Sequence, residues 1–197
     1  GPFDIRSVSA QSSSVSWTVA IYISGDNTLS ENVQDDLDEI ANAEISDGIR
    51  VVALVDQSTA GDSRLLFFSS GAWSTISLTA VNSSWGSELN MGAPSTLRDF
   101  VSWAFSEYPS EQTALDLWGH GAGWSGVCMD RGDWLTLPEL SGALGGQRPD
   151  LLSIDACQMG MVEGIERHHH TLPASTTFHR SSESYGSAIH LKGNFLM

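Results

Sequence analysis

Three shortages in this chain of 197 residues exclude whole classes of protein. It has only two cysteines, Cys128 and Cys157, which is too few for a small secreted scaffold held together by disulfides. Its nine lysines and arginines stand against 24 acids, and the net charge of -15 argues against nucleic acids and anionic membrane surfaces as partners. No apolar run approaches the roughly 20 residues that a transmembrane helix needs. We therefore expect a soluble protein whose partners include neither nucleic acid nor membrane.

The length and the first residues predict a simple domain organisation. A chain of 197 residues suits one well-buried domain, and the sequence contains no internal repeat. Gly1-Pro2 is typical of the remnant of a removed tag, and the stretch that follows is polar. We expect residues 1–14 to be a tag remnant with a flexible leader, and residues 15–197 to form a single domain that is present as a monomer.

Strand and helix patterns alternate along the chain. Short runs of β-branched and aromatic residues predict strands, and apolar residues at spacings of three and four predict helices. The predicted strands are 17–24, 48–57, 64–68, 73–78, 112–123 and 151–156, and the predicted helices are 28–45, 97–108, 136–144 and 160–168. Strands joined by helical crossovers form parallel sheets. The pattern therefore predicts an α/β fold with a mostly parallel central sheet.

The first predicted helix carries a row of acids opposite its apolar face. Their helical spacing differs from the alternating acids of a calcium-binding loop, so we interpret the row as a solvated face. The sequence does not decide whether the protein uses calcium as a cofactor, and it predicts no other cofactor. The acids of the row are Glu31, Asp35, Asp36, Asp38, Glu39 and Glu44.

Two of the predicted strands end in residues that carry chemistry. The apolar run 151–156 is followed by Cys157, with Asp155 two residues before it, and the run from 112 ends at His120 between two glycines. Open α/β sheets bind ligands beyond the carboxyl ends of their strands, so His120 and Cys157 can converge there. A thiol with a distant histidine is the sequence sign of a cysteine nucleophile. A small buried cysteine at a strand end is the structural alternative.

The remaining cysteine and histidines give weaker signals. Cys128 lies in the segment 124–134, which the sequence predicts to be an exposed loop or small hairpin, and we interpret this thiol as incidental. The triplet His168 to His170, together with His179 and His190, lacks the spacing and the cysteine or acid partners of a structural zinc site. We therefore predict no native metal site among these histidines.

The two strand ends also resemble the motifs of a known family. Leu117-Trp118-Gly119-His120-Gly121-Ala122-Gly123-Trp124 and Asp155-Ala156-Cys157-Gln158-Met159-Gly160-Met161-Val162-Glu163 are similar to the histidine and cysteine motifs of the clostripain family of cysteine peptidases. The stretch from Trp17 to Leu29 is similar to the first strand and Gly-Asp-Asn turn of that family. The resemblance implies a caspase-like α/β/α sandwich, as in legumains and gingipains. It also implies cleavage of peptides or proteins after arginine or lysine, and a secreted or cell-surface location.

The resemblance assigns a role to each residue of the expected site. Cys157 is the nucleophile and His120 the general acid and base. The main-chain amides of Gly121 and Cys157 form the oxyanion hole. Asp155 pairs with the basic side chain of the substrate, with helix capping as its structural alternative. Glu183 adds a second acid to that pocket.

Relatives are often matured by a cut after a basic residue between the two motifs, and this segment offers Arg131 and Arg148. Arg148 precedes Pro149, whose tertiary amide suits a scissile bond badly, so we predict cleavage at Arg131-Gly132.

Two alternatives to a complete peptidase remain open from the sequence. Family members usually continue beyond this point, and residues 166–197 match them only loosely around Ser181 to Gly186, so the domain can be incomplete at its C-terminus. A catalytically inactive caspase-like domain with a binding or structural role is the alternative function. An α/β hydrolase of another class is disfavoured because the sequence has no Gly-x-Ser-x-Gly elbow.

Overall fold

The computed structural model describes residues 15–159 and the strand 176–179, in which strands and helices alternate as predicted. The predicted leader, the predicted helix 160–168 and Glu183 lie outside these residues. The strands are β1 (Trp17–Gly25), β2 (Ile49–Gln57), β3 (Arg64–Ser69), β4 (Ala72–Ile76), β5 (Gln112–Gly119), β6 (Val127–Asp130), β7 (Asp133–Leu135), β8 (Leu151–Ala156) and β9 (Thr176–His179). The helices are α1 (Val33–Asn42), α2 (Pro94–Glu107) and α3 (Leu137–Leu144).

The central sheet has the order β4-β3-β2-β1-β5-β8-β9 among the described strands. Strands β2, β1, β5, β8 and β9 run parallel, and the hairpin of β3 and β4 adds the antiparallel edge. The predicted hairpin turn is confirmed, with Ser70 and Gly71 both at positive φ. The strand β9 belongs to the stretch for which the sequence predicted no element. The mainly parallel sheet confirms the predicted α/β class.

Each face of the sheet is covered by its own apolar core. Helix α1 packs on one face with alternate residues of the parallel strands, among them Ile21, Val55 and Trp118. Helices α2 and α3 cover the other face together with the intervening residues, such as Tyr22 and Leu117. Alternation along a strand sends successive side chains to opposite faces, so continuous apolar strands fill both cores. The described layers therefore form the predicted α/β/α sandwich.

Helix α1 begins later than predicted, and one of its acids is buried. The Asn27 side chain accepts a hydrogen bond from the Leu29 amide (2.9 Å) and donates to the Ser24 carbonyl (2.9 Å), which holds the first predicted turn outside the helix. Asp36 lies on the side of Val33 and Ile40 and is buried against the sheet. The prediction that Asp36 belongs to the solvated face is wrong, because the spacing of three from Val33 turns it inward.

The segment after His120 is a hairpin of β6 and β7, one of the two predicted forms. The prediction that it is exposed is wrong for its first strand, since Val127 and Cys128 are completely buried against α2 and α3. The following helix α3 has the predicted capping box, in which Thr136 and Glu139 bond each other's main-chain amides. Within the described residues, no helix is long and apolar enough to cross a membrane.

Candidate active site

The register of two neighbouring strands brings the predicted histidine and cysteine to one place. Strands β5 and β8 pair in parallel, with Gly119 opposite Ala156 at their carboxyl ends. His120 directly follows β5 and Cys157 directly follows β8, so the two residues lie side by side at the same edge of the sheet. The convergence expected from the sequence is therefore present in the structure.

Gly121 allows the two strand ends to approach each other closely. A Cβ atom built on Gly121 would collide with the carbonyl oxygen of Cys157 and with the side chains of Met159 and Ala156. Any larger residue would push the histidine and cysteine segments apart. The main chain of Gly121 therefore lies directly against that of Cys157. The amide of Gly121 is one of the two predicted donors of the oxyanion hole.

His120 has a hydrogen-bond partner that the sequence did not predict. Its Nε2 lies 2.8 Å from Oγ1 of Thr28, which follows the Gly-Asp-Asn turn after β1. Because β1 is the neighbour of β5, the turn after β1 reaches the end of the histidine strand. Partial burial lowers the pKa of His120 from its usual value. The imidazole is therefore held by one ring nitrogen and leaves Nδ1 for another partner.

The two thiols lie in opposite environments. Cys157 is exposed at the carboxyl end of β8, whereas Cys128 is completely buried. Burial raises the pKa of the Cys128 thiol well above its usual value. Gln158 adopts a positive φ of 62° directly after Cys157, so the chain turns sharply away from the thiol. Of the two cysteines, only Cys157 is open to a substrate.

Asp155 is buried near the carboxyl end of β8, two residues before the exposed Cys157. It lies opposite Trp118 in the register, and Trp118 packs in the α1-side core. Two further acids, Asp36 and Asp116, are close enough for Asp155 to raise their pKa values. Burial is the main cause of both shifts, and both pKa values rise to about 7. The predicted substrate-binding acid therefore belongs to a group of three buried carboxylates.

The predicted cleavage site is in the tight turn between β6 and β7. Arg131 and Gly132 connect the paired residues Asp130 and Asp133, and both have positive φ values, 46° and 92°. The exposed Arg131 side chain pairs with Asp26 and Glu88. The bond is at the surface, as predicted, but the arginine side chain is already bound within the molecule.

Glu183 and most of the remaining histidines are not placed by the structure. Glu183 and His168 to His170 lie outside the described residues, as does His190. His179 ends β9, which pairs with β8, and the register sets it opposite Asp155. The structure therefore brings together His120, Gly121, Asp155 and Cys157 from the predicted site.

Comparisons with known proteins show what the chain is similar to. The model of the clostripain family matches residues 21–175. Clostripain of Hathewaya histolytica is 28% identical over 181 residues, which cover 74% of this chain and 34% of that protein. The chain thus spans about a third of the length of this curated relative.

Two solved structures share the fold. A secreted C11 cysteine protease from Bacteroides thetaiotaomicron, solved with an irreversible peptide inhibitor, matches with a TM-score of 0.66 and 23% identity over 80% of this chain and 47% of that chain. An inactive zymogen C11 protease from Parabacteroides distasonis matches with a TM-score of 0.63 and 23% identity over 81% and 47% of the two chains. These likenesses agree with a caspase-like fold. Since the family model matches well over half of the residues, the chain belongs to the clostripain family.

Proposed function

We propose that this chain is a cysteine endopeptidase that cleaves after arginine or lysine through a dyad of Cys157 and His120. The observation that carries the proposal is the exposed thiol of Cys157, which lies beside His120 at the ends of two paired parallel strands. Membership of the clostripain family supports the same chemistry. A peptide or protein with a basic residue before the cut is the proposed substrate.

In the proposed reaction, His120 takes the proton of Cys157 and the thiolate attacks the scissile carbonyl carbon. The carbonyl oxygen becomes an oxyanion, which the amides of Gly121 and Cys157 stabilise by hydrogen bonds. His120 then gives its proton to the departing amine, leaving an acyl-enzyme. A water molecule, deprotonated by His120, hydrolyses the thioester and restores the thiol.

Thr28 positions the histidine during these steps. With its Nε2 within 2.8 Å of the Thr28 hydroxyl, the imidazole has Nδ1 available for the proton of Cys157. In the neutral tautomer that leaves Nδ1 unprotonated, Nε2-H donates to the Thr28 hydroxyl oxygen, and the same hydrogen bond becomes stronger when His120 is an imidazolium. This contact gives the dyad an orienting third group without a carboxylate.

Asp155 is the proposed ligand of the basic substrate side chain. It lies two residues before Cys157, so strand alternation favours a position on the same side as the thiol, and two further buried acids, Asp36 and Asp116, lie close to it. Glu183 is proposed as a further acid of the pocket by resemblance alone. A secreted or cell-surface location is proposed on the same resemblance, and one structural neighbour is described as secreted.

A panel of fluorogenic peptides tests the function and the specificity together. We expect hydrolysis of peptides with arginine or lysine before the cut, and at most about a thirtieth of that rate with aspartate or asparagine. The physical reason is the charge-assisted pair with Asp155, which is worth roughly 2 to 3 kcal/mol. Equal rates on acidic and basic peptides would contradict the specificity, and no hydrolysis of any peptide would favour an inactive binding domain.

We also propose that the active protein cuts itself between Arg131 and Gly132. The side-chain pairs of Arg131 with Asp26 and Glu88 and the tight turn must open first, because a peptidase binds its substrate as an extended strand. We therefore expect slow cleavage, visible by mass spectrometry after prolonged incubation. Arg131→Gln should block the cut.

Two matched proteins control this experiment. Cys157→Ala should stay intact at the same bond, and Arg148→Gln should be cut as the parent is, because the bond after Arg148 precedes proline. An active parent protein whose 131–132 bond remains whole would show that this molecule does not need the cut.

A further inference from the structure

One large apolar side chain is exposed next to the candidate dyad. Trp124 is 67% exposed, and among the residues that the structure describes it is the exposed large hydrophobic residue. The other described tryptophans are partly or completely buried. An exposed indole leaves a large apolar area in water, and tryptophan is enriched where proteins bind partners. Because it follows His120 by four residues, Trp124 is a candidate contact for a ligand of the dyad.

The loop that carries this tryptophan is closed by main-chain hydrogen bonds. We call residues 122–126 the tryptophan loop. The Ala122 amide donates to the Gly126 carbonyl (2.9 Å), which joins the two ends of the loop. At its base, Gly121 and Val127 form an antiparallel β-bridge. These contacts hold the indole on a defined support beside the active site, so little conformational entropy is lost when it binds a ligand.

The tryptophan loop begins beside the reacting groups. Gly121, the residue before the loop, lies against the main chain of Cys157. Consecutive Cα atoms are about 3.8 Å apart, so the Cα atom of Trp124 lies at most about 11 Å from that of Gly121. An extended peptide advances about 3.3 Å per residue, so this distance corresponds to about three residues of a bound substrate. The indole is therefore within reach of the residues that flank the scissile bond.

The chemistry of the dyad determines which side of the cut the indole meets. In the proposed reaction, His120 gives its proton to the departing amine, so the residues after the cut lie on the histidine side of the site. The basic residue before the cut is directed to Asp155, in the segment of β8. The tryptophan loop continues from His120, which follows β5. Trp124 therefore lies on the side of the leaving part of the substrate.

We infer that Trp124 binds an apolar side chain of the substrate in the first or second position after the cut. The inference rests on the proposed endopeptidase function and adds a second preference to it. An indole packs against leucine or phenylalanine through apolar and ring contacts that remove surface from water. Glycine offers no side chain for this contact, and a charged side chain would lose water without gaining a partner. The preferred substrates are therefore peptides in which a large apolar residue closely follows the arginine or lysine.

Kinetics on matched peptides test this preference. The peptides share an arginine before the cut and carry leucine or phenylalanine in the first or second position after it, or glycine in both. We expect kcat/KM to be at least about 10-fold higher for the best apolar peptide than for the diglycine peptide. Trp124→Ala should reduce this ratio to below about 3-fold by slowing the apolar peptide alone, because a truncated tryptophan loses most of its contact.

Two further variants control for the loop and for folding. Trp124→Phe should keep most of the preference, since it retains an aromatic face. Ser125→Ala, which changes the exposed neighbour in the same loop, should leave the preference unchanged. Trp124→Ala should keep the parental Tm because the side chain is exposed. A preference for apolar peptides that persists in Trp124→Ala would overturn the inference, as would equal rates of the parent on all the peptides.

Peptide binding to the Cys157→Ala protein gives a measurement that needs no catalysis. By calorimetry, the Kd of the best apolar peptide should be at least about 10-fold lower than that of the diglycine peptide. The difference should disappear when Trp124→Ala is added to the same protein. Equal Kd values for the two peptides would overturn the inference. If the parent hydrolyses no peptide while Trp124 still discriminates in binding, the inference holds and the proposed endopeptidase function is wrong.

Discussion

Replacing Cys157 with alanine is expected to abolish peptidase activity, whereas Cys128→Ala should leave most of it. The difference follows from position, because Cys157 is exposed beside His120 and Cys128 is completely buried in the other core. Loss of the nucleophile in a peptidase typically lowers kcat by on the order of 10⁴-fold or more. Cleavage of an arginine peptide by both variants and the parent measures this.

Thiol labelling provides an independent control for the same two variants. Iodoacetamide should modify Cys157 in the parent with a pH-dependent rate, and Cys157→Ala should take up almost no label in the folded state. Burial raises the pKa of Cys128 and hides it from the reagent, so this thiol should react only after unfolding. Equal loss of activity in the two variants would refute the assignment of the nucleophile. An unreactive Cys157 would favour the inactive binding domain.

Strand patterns made the framework of the site predictable. The apolar runs that end at His120 and Asp155 have the composition of strands buried on both faces, and β5 and β8 appear where these runs lie. Parallel strands end at one edge, so the meeting of His120 and Cys157 followed from topology alone. The capping box before α3 was equally local, since Thr136 and Glu139 need only each other.

The rest depends on contacts between residues that are far apart in sequence. Nothing near Thr28 signals His120, because the contact exists only once β1 and β5 are neighbours. The approach of the buried acids Asp26, Asp56 and Asp130 to one another could not be predicted for the same reason, since they come from three separate parts of the chain.

Cys128 becomes buried only when the hairpin of β6 and β7 packs onto α2 and α3. The glycines and charged residues around it predicted an exposed segment instead. Asp36 was misassigned because all the acids were grouped together, although its position three residues after Val33 turns it toward the sheet.

The burial of Asp36 changes the expected electrostatics of the substrate pocket. Asp36, Asp116 and Asp155 lie between the sheet and α1, and two of them have pKa values raised to about 7, mainly by burial. Such carboxylates are stabilised in their charged form by a cation close by. An arginine or lysine side chain that reaches this region would provide that charge. A neutral or acidic side chain would not.

The most direct test of this pocket is Asp155→Asn, which should lower kcat/KM for arginine peptides by roughly 30- to 150-fold. That range corresponds to the loss of a charge-assisted hydrogen bond worth about 2 to 3 kcal/mol. The substitution keeps the shape of the side chain and removes its charge. Because the pair forms with the bound substrate, most of the loss should appear in KM and little in kcat.

A neutral analogue of the substrate separates recognition from structural effects. Citrulline has the shape of arginine without its charge, so Asp155→Asn should reduce the preference for arginine over citrulline by the same factor. Asp38→Asn, which removes one exposed acid from α1, should leave that preference unchanged and controls for the overall charge. If Asp155 only capped the following helix, its replacement would lower Tm and affect both peptides equally. Unchanged kinetics on the arginine peptide would exclude Asp155 as the ligand of the basic side chain.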